Sequence, residues 1–497
     1  MSSYGRAASV VGTGFLARAA ATAVTTVGGV FATVFAVRGL GSEGYGAVAF
    51  GLAITTLAAV AARVGLGGAV TREIAAAHAE TTEPGGVALV VGAAWRVVIP
   101  TAALAGTIAG MASALAPLDT AVSGRAALGL GLAIVVLGTN VAALSTFVAR
   151  GVGRMRSAEV PQVAIVLVQV IGFGWIALRG GSAASVAGAG LVLLLAGVVG
   201  VVSGAATVRA AVGPLHGGLH AGGVQLLRRA APFALAGVAT QVIAQADVIV
   251  LGVVRGAGEV GSYDPLLRVA DRSLLLAPAL FLAGFIPAAT GQLARGEHEE
   301  FGRLYAQTGT LAFVLGVAPL TLLAAFPREV VQALFPAVAA DTSVLAILTV
   351  GYAVHLAFGL NTGALIASGD RRGIARAYGV AFAAALVLVV ALVPPLGAAG
   401  AALATAGSYL VMNVAVTMSA HRATGAHPFD RRHVVVVASS PVAVGGGVVA
   451  ASIIGPTSLL LALGISTAVW GMWVVALGIA GAISVHDLRA FSPGSAP

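Results

Sequence analysis

The chain has 497 residues, 59% of them hydrophobic and only 9% charged, with a mean hydropathy of +1.00. A soluble chain averages about a quarter charged residues, so this composition excludes a soluble enzyme and makes bilayer hydrocarbon the fitting solvent. All 27 basic residues behind the net charge of +9 are arginine, and zero cysteine excludes disulfides, thiolate metal sites and thiol nucleophiles.

In chain order, apolar runs bounded by Gly, Pro and charged residues predict fourteen membrane spans. They cover 9–37, 45–67, 85–112, 123–149, 160–178, 184–207, 231–254, 262–290, 303–325, 343–367, 374–392, 396–420, 433–453 and 457–483. Most reach or approach the roughly 20 apolar residues that a spanning helix needs. The fold class expected is an all-α polytopic membrane protein. The first run continues through Ala19–Val37 without a cleavage site, so it reads as a retained helix and not as a signal peptide.

Alternation of the spans sorts the arginines. With a cytoplasmic N-terminus, 17 lie inside: Arg6, Arg72, Arg150, Arg154, Arg156, Arg209, Arg228, Arg229, Arg295, Arg303, Arg371, Arg372, Arg376, Arg422, Arg431, Arg432 and Arg489. Only 5 lie outside, namely Arg38, Arg125, Arg179, Arg255 and Arg328. This is the positive-inside pattern, and it predicts both termini in the cytoplasm of a cell whose cytoplasmic membrane holds the protein. Topology signals of this kind explain the positive charge without nucleic acid as a partner.

The spans also repeat. Val37-Arg38-Gly39 ends the first and Val254-Arg255-Gly256 the seventh, with arginines 255 − 38 = 217 residues apart and the following Tyr45 and Tyr263 separated by 218. Ala149-Arg150-Gly151 and Ala367-Ser368-Gly369 keep the offset of 218 after the fourth and tenth spans. Six spans separate the copies, an even number, which makes the repeat parallel about an axis along the membrane normal. The domains expected are two six-helix lobes, 1–210 and 225–420, followed by two extra spans in 431–485.

Arg38-Gly-Leu-Gly-Ser-Glu-Gly-Tyr-Gly46, then an apolar helix, then Gly65-Leu-Gly-Gly-Ala-Val-Thr-Arg72, resembles the N-terminal signature of polysaccharide and lipid-linked oligosaccharide flippases. In the second half, Asp247-Val-Ile-Val-Leu-Gly252, Gly261-Ser-Tyr263 and Leu267-Arg268 resemble the seventh and eighth helices of the same family, and the Gly296-Glu-His-Glu-Glu-Phe301 linker suits it too. These proteins, O-antigen flippases among them, belong to the multidrug/oligosaccharidyl-lipid/polysaccharide exporter (MOP) superfamily. The resemblance implies a V-shaped bundle of two six-helix lobes working by alternating access. Its cargo would be a glycan linked through phosphate or pyrophosphate to a polyprenyl lipid, with membrane lipids and glycan-assembly enzymes as partners.

Charged groups within spans are costly, and they face a cavity or a partner. Those here are Arg18, Arg63, Arg96, Asp247, Asp264, Arg268, Asp271 and Arg272. Arg18 lies about 15 Å along the first helix, where it either faces a cavity or snorkels to the inner face. A cavity-facing arginine offers a planar, permanently charged fork to a lipid phosphate. Substrate contact is therefore expected of Arg18, Arg63, Arg96, Arg268 and Arg272, with Asn140 and Asn361 offering hydrogen bonds to sugar hydroxyls. Gln162, Gln169, His355 and Asn413 carry similar groups, although such residues also join helices. Asp264, Arg268, Asp271 and Arg272 follow i,i+3 and i,i+4 spacing, so they form either a self-neutralised strip or a gate exchanging partners with Asp247. Tyr263 marks the outer interface in this reading. Asp247, Asp264 and Asp271 are the candidates for coupling-ion binding or gating.

The rival readings are weaker. A multidrug exporter of small cations would favour an acidic cavity, which the intramembrane arginines oppose. A membrane glycosyltransferase or polymerase would need a long outside loop rich in carboxylates or histidine, whereas Phe326–Thr342 has only Glu329 and Asp341 as acids. Major-facilitator transport is disfavoured because Thr71–Pro84 lacks a Gly-x-x-x-Asp-Arg pattern. No H-E-x-x-H, G-x-S-x-G or Walker lysine occurs, and His355 lacks a metal partner at ligand spacing, so no enzyme, metal or cofactor is expected.

Overall fold

The computed structural model describes residues 3–63, 65–67, 70–71, 73–74, 77, 84–115, 122–179, 185–213, 222–336, 338 and 342–482. Their side chains are described as well, except those of 3–17, 84–86, 122–123, 185, 222–236 and 283, so Arg6, Arg72, Arg228, Arg229 and Arg489 lie outside the described side chains.

Among these residues the chain forms helices and no strand. The first half of the chain contains α1 (Ser3–Ala62), α2 (Pro84–Leu115), α3 (Val122–Gly151), α4 (Met155–Ala158), α5 (Val160–Arg179), α6 (Ser185–Val212) and α7 (Gly222–Arg255). There follow α8 (Ala257–Leu274), α9 (Leu276–Ala294), α10 (His298–Ala325), α11 (Pro327–Leu334), α12 (Thr342–Ala357), α13 (Asn361–Ser368), α14 (Arg371–Thr424), α15 (Arg431–Ile454) and α16 (Leu459–Ile479).

Among the described residues ten segments are long and apolar enough to cross a membrane, or 12 if each of two bent helix pairs is one span. Two of the ten are much longer than a bilayer requires, Arg18–Ala62 with 45 residues and Arg371–Thr424 with 54. Each is interrupted at one glycine, Gly41 at φ 70° and Gly397 at φ 57°, in conformations where a Cβ brings strain. Dividing both at their glycines brings the 12 spans to about fourteen, as the hydropathy pattern predicts.

Local structure departs from the sequence expectation at three places. The run 343–367 is two helices, α12 and α13, bent by 41° across a break at Gly359, whose φ is 63°. The run 262–290 is likewise divided, between α8 and α9 at Leu275, and α8 begins earlier, at Ala257. The expected loop after residue 325 contains α11, which starts on Pro327 at a favoured N-terminal position and buries Val330 and Val331.

By internal packing the chain divides into two compact units. One is Thr13–Pro265 with Val389–Ala401; the other is Met1–Gly12, Leu266–Leu388 and Ala402–Pro497. In the first unit α3 lies along α6, and glycines set the spacing. A Cβ on Gly131 would stand 2.1 Å from Gly190 O, and one on Gly138 would stand 2.2 Å from Gly197 O. Small residues at seven-residue intervals allow this approach, which suits helices that associate in lipid by van der Waals contact. The second unit is organised around α10, which packs on α9, α12, α15 and α16. Its core joins Phe313, Val317, Leu356, Val436 and Trp473, and the indole of Trp470 donates to Val314 O at 2.7 Å.

Candidate functional site

Two carboxylates in the first unit are withdrawn from both lipid and water. Asp247 on α7 and Asp264 on α8 are each 1% exposed. The Tyr263 hydroxyl donates to Asp247 Oδ2 at 2.5 Å, while the other oxygen accepts from the Val248 amide at 2.8 Å. The Tyr45 hydroxyl donates to Asp264 Oδ2 at 2.5 Å. Tyr45 and Tyr263 are the two tyrosines related by the internal repeat, and both are buried. The Tyr263 ring is enclosed within the protein, and its polar end is satisfied by a carboxylate.

Backbone contact makes this arrangement possible. A Cβ on Gly46 would stand 1.8 Å from Ala257 O, and one on Gly261 would stand 1.8 Å from Ser42 O. The two copies of the repeated Gly-rich segment, 42–46 and 257–261, therefore touch main chain to main chain. Beside them, Arg255 Nη2 donates to Pro394 O at 2.8 Å, and its Nε lies 3.9 Å from Glu259 Oε2. A Cβ at 397 would meet Glu259 Oε1 at 2.3 Å, so a larger residue there would displace that carboxylate.

The predicted substrate residues are distributed over both units. In the first, Arg18 is exposed and feels the charges of Arg150 and Glu159, which form an ion pair with each other. Arg63 is half-buried just after α1, its Nε donating to Ala59 O at 3.2 Å, and Arg96 is exposed on α2. Asn140 is fully buried; its Nδ2 donates to Val136 O at 2.8 Å, and its Oδ1 has no hydrogen-bond partner among the described residues. In the second unit, Arg268 and Asp271 are half-buried on α8 and Arg272 is exposed, with its Nε 3.6 Å from Asp271 Oδ2. Asn361 is buried at the start of α13, where its Nδ2 donates to Asn413 Oδ1 at 2.9 Å and to Thr417 Oγ1 at 3.1 Å. No cluster of three or more His, Asp or Glu able to hold a metal occurs among the described residues.

A family model described as "Polysaccharide biosynthesis protein" matches residues 13–290, more than half of the chain. The chain belongs to that family. No curated protein matches the sequence. Among solved structures the fold is similar to "Lipid II flippase MurJ, inward closed conformation", at 13% identity and a TM-score of 0.65, covering 93% of this chain and 98% of that one. It is also similar to an inward-facing multidrug resistance MATE family transporter of the MOP superfamily, at 16% identity and a TM-score of 0.63, covering 83% and 98%. An outward-facing MATE transporter matches at 14% identity with a TM-score of 0.52, covering 84% and 96%. This member of the polysaccharide biosynthesis family is thus a multi-pass membrane protein whose fold is that of the MurJ and MATE structures.

Sequence reasoning found both buried aspartates but not the hydroxyls that hold them. The signal was present, since Tyr45 and Tyr263 sit at one repeat offset. It also treated His355 as a lone residue, because its partner Asn413 is 58 positions away and only packing brings the two together.

Proposed function

We infer that this transporter flips a glycan linked through phosphate or pyrophosphate to a polyprenyl lipid across the cytoplasmic membrane, by alternating access of two lobes, 1–210 and 225–420. The observation that carries the reading is the sign of the charge within the spans. Five arginines lie in or beside them, Arg18, Arg63, Arg96, Arg268 and Arg272, whereas two of the three acids there, Asp247 and Asp264, are buried against tyrosine hydroxyls. This excess of arginine suits an anionic headgroup, and an arginine fork suits phosphate oxygens in particular. Asn140 and Asn361 supply amides for sugar hydroxyls, and Asp247, Asp264 and Asp271 serve gating or ion coupling.

Replacement of Arg18 or Arg268 by alanine is expected to abolish glycan export while membrane-inserted protein stays at the wild-type level. Lysine at either place should restore export only in part, since an ammonium is a point charge. Export measured per inserted molecule tests this, and normal export by both alanine variants would overturn the site. Efflux of small organic cations, unaffected by either change, would favour the multidrug reading suggested by the MATE likeness.

Orientation has its own test. Reporter fusions after residues 156, 229, 372 and 432 should read cytoplasmic, and those near 41 and 257 external. A shared side for 41 and 156 would overturn the assignment.

A further inference from the structure

The tenth span is broken where two histidines meet it. α12 ends at Ala357 and α13 starts at Asn361, with a 41° bend between them. Interrupted helices in transporters mark places where polar groups gather, because freed backbone needs partners. Here His433 of α15 supplies one, its Nε2 lying 2.7 Å from Ala357 O, and its Nδ1 lies 3.0 Å from Thr310 Oγ1. Both nitrogens of His433 are thus held in place.

His355 is placed differently. Its Nδ1 lies 3.0 Å from Asn413 Oδ1 and 2.8 Å from Asn413 Nδ2, so one ring nitrogen faces both ends of one amide. An unprotonated Nδ1 accepts from the amide nitrogen; a protonated Nδ1 donates to the amide oxygen. The two states differ in geometry, because a protonated Nδ1 must turn from the amide nitrogen, a donor 2.8 Å away, toward the oxygen. The amide itself is fixed, for Asn413 Nδ2 also donates to Tyr409 O at 2.7 Å and Oδ1 accepts from Asn361 Nδ2 at 2.9 Å. A carbonyl oxygen has two lone pairs, so when Nδ1 is protonated, His355 and Asn361 fill both. Those residues stand on opposite sides of the break. Protonation therefore moves the link across the break from the amide nitrogen to the single oxygen that Asn361 already shares.

We propose that His355 Nδ1 is a proton-binding site of the transport cycle, and that the proton it takes sets the angle between α12 and α13. The neutral imidazole holds its proton on Nε2; uptake from hydronium breaks one O–H bond, forms the Nδ1–H bond and leaves an imidazolium and water. The Tyr409 ring is tilted by 40° at 4.9 Å centroid to centroid, within the range in which an aromatic ring attracts a cation. The titratable groups around it are Tyr409 on α14, Tyr352 on α12, whose ring is tilted against that of Tyr409, and His433 across the break, and no carboxylate or arginine acts on His355 among the described residues. A half-buried imidazole without a counter-ion binds a proton in the conformation that admits water and releases it in the one that does not, as coupling requires.

This deepens the transport reading, yet it can be tested without any cargo, so its failure is distinct from failure of the glycan assignment. The chain has no cysteine, which makes paired labelling simple. Spin labels at Val350→Cys and Ile366→Cys, exposed positions on either side of the break, report its angle in lipid nanodiscs by pulsed electron resonance. From about pH 8 down to about pH 3.5, a range wide enough for a half-buried imidazole to change charge, the distance distribution should shift with a one-proton dependence. His355→Gln should abolish the shift and His433→Gln should keep it. Asn413→Asp, which retains the histidine and gives it a counter-ion, should raise the midpoint by about one to three pH units. A shift that survives His355→Gln, an unmoved midpoint in Asn413→Asp, or a wild-type distance that ignores pH would each overturn the proposal.

Discussion

A single methyl group at residue 46 or 261 is expected to remove most of the folded protein. Gly46→Ala puts a carbon 1.8 Å from Ala257 O, and Gly261→Ala puts one 1.8 Å from Ser42 O, where ordinary contact needs more than 3 Å. The obstacle in both cases is main chain, so no rotamer change relieves it. The helices must separate by well over an ångström, and that opens the adjoining Tyr45–Asp264 pair as well. Overpacking in a core costs roughly 1–3 kcal/mol where side chains can adjust, and more is expected when only backbone can. Gly379→Ala is the matched control, because nothing lies within 4 Å of its added Cβ and the residue is exposed on a helix. Size-exclusion profiles of detergent-extracted protein should show loss of the monodisperse peak for the first two variants and not for the third. Wild-type peaks and melting points for Gly46→Ala and Gly261→Ala would show that the segments do not meet as described.

The second large effect concerns the buried aspartates. Asp264→Ala and Asp247→Ala each strand a tyrosine hydroxyl in a region without water, at a cost of about 1–3 kcal/mol apiece. Tyr45→Phe removes the same hydrogen bond from the other side. If the Tyr45–Asp264 bond carries the effect, Tyr45→Phe with Asp264→Ala should be less destabilising than the sum of the two single changes, by about 1–3 kcal/mol. The Tyr263 and Asp247 pair should behave likewise, with little coupling between one pair and the other unless they act as one gate. Thermal unfolding in a fixed detergent gives these numbers, and strict additivity within a pair would mean that the bond contributes nothing.

Much of this molecule follows from one-dimensional information. Lengths of apolar run set the spans, because a bilayer imposes a fixed thickness and leaves no alternative to helix for a lipid-exposed backbone. The repeat was legible for the same reason, since two copies of a Gly-rich helix end keep their offset of about 218 in any fold. Arg18, Asp247 and Asp264 could be singled out as charges lying in hydrocarbon runs. Hydropathy carries no record of partners, however. Asp264 finds its hydroxyl 219 positions away, and His355 finds its amide 58 away. The break at Gly359 is invisible to an average over an apolar window, because Phe358 and Leu360 keep that average high while the positive φ bends the chain. Composition thus determined which residues enter the membrane and how often. Which buried polar groups meet was decided by the close approach of helices at glycines such as Gly46 and Gly261, a property of packing in three dimensions.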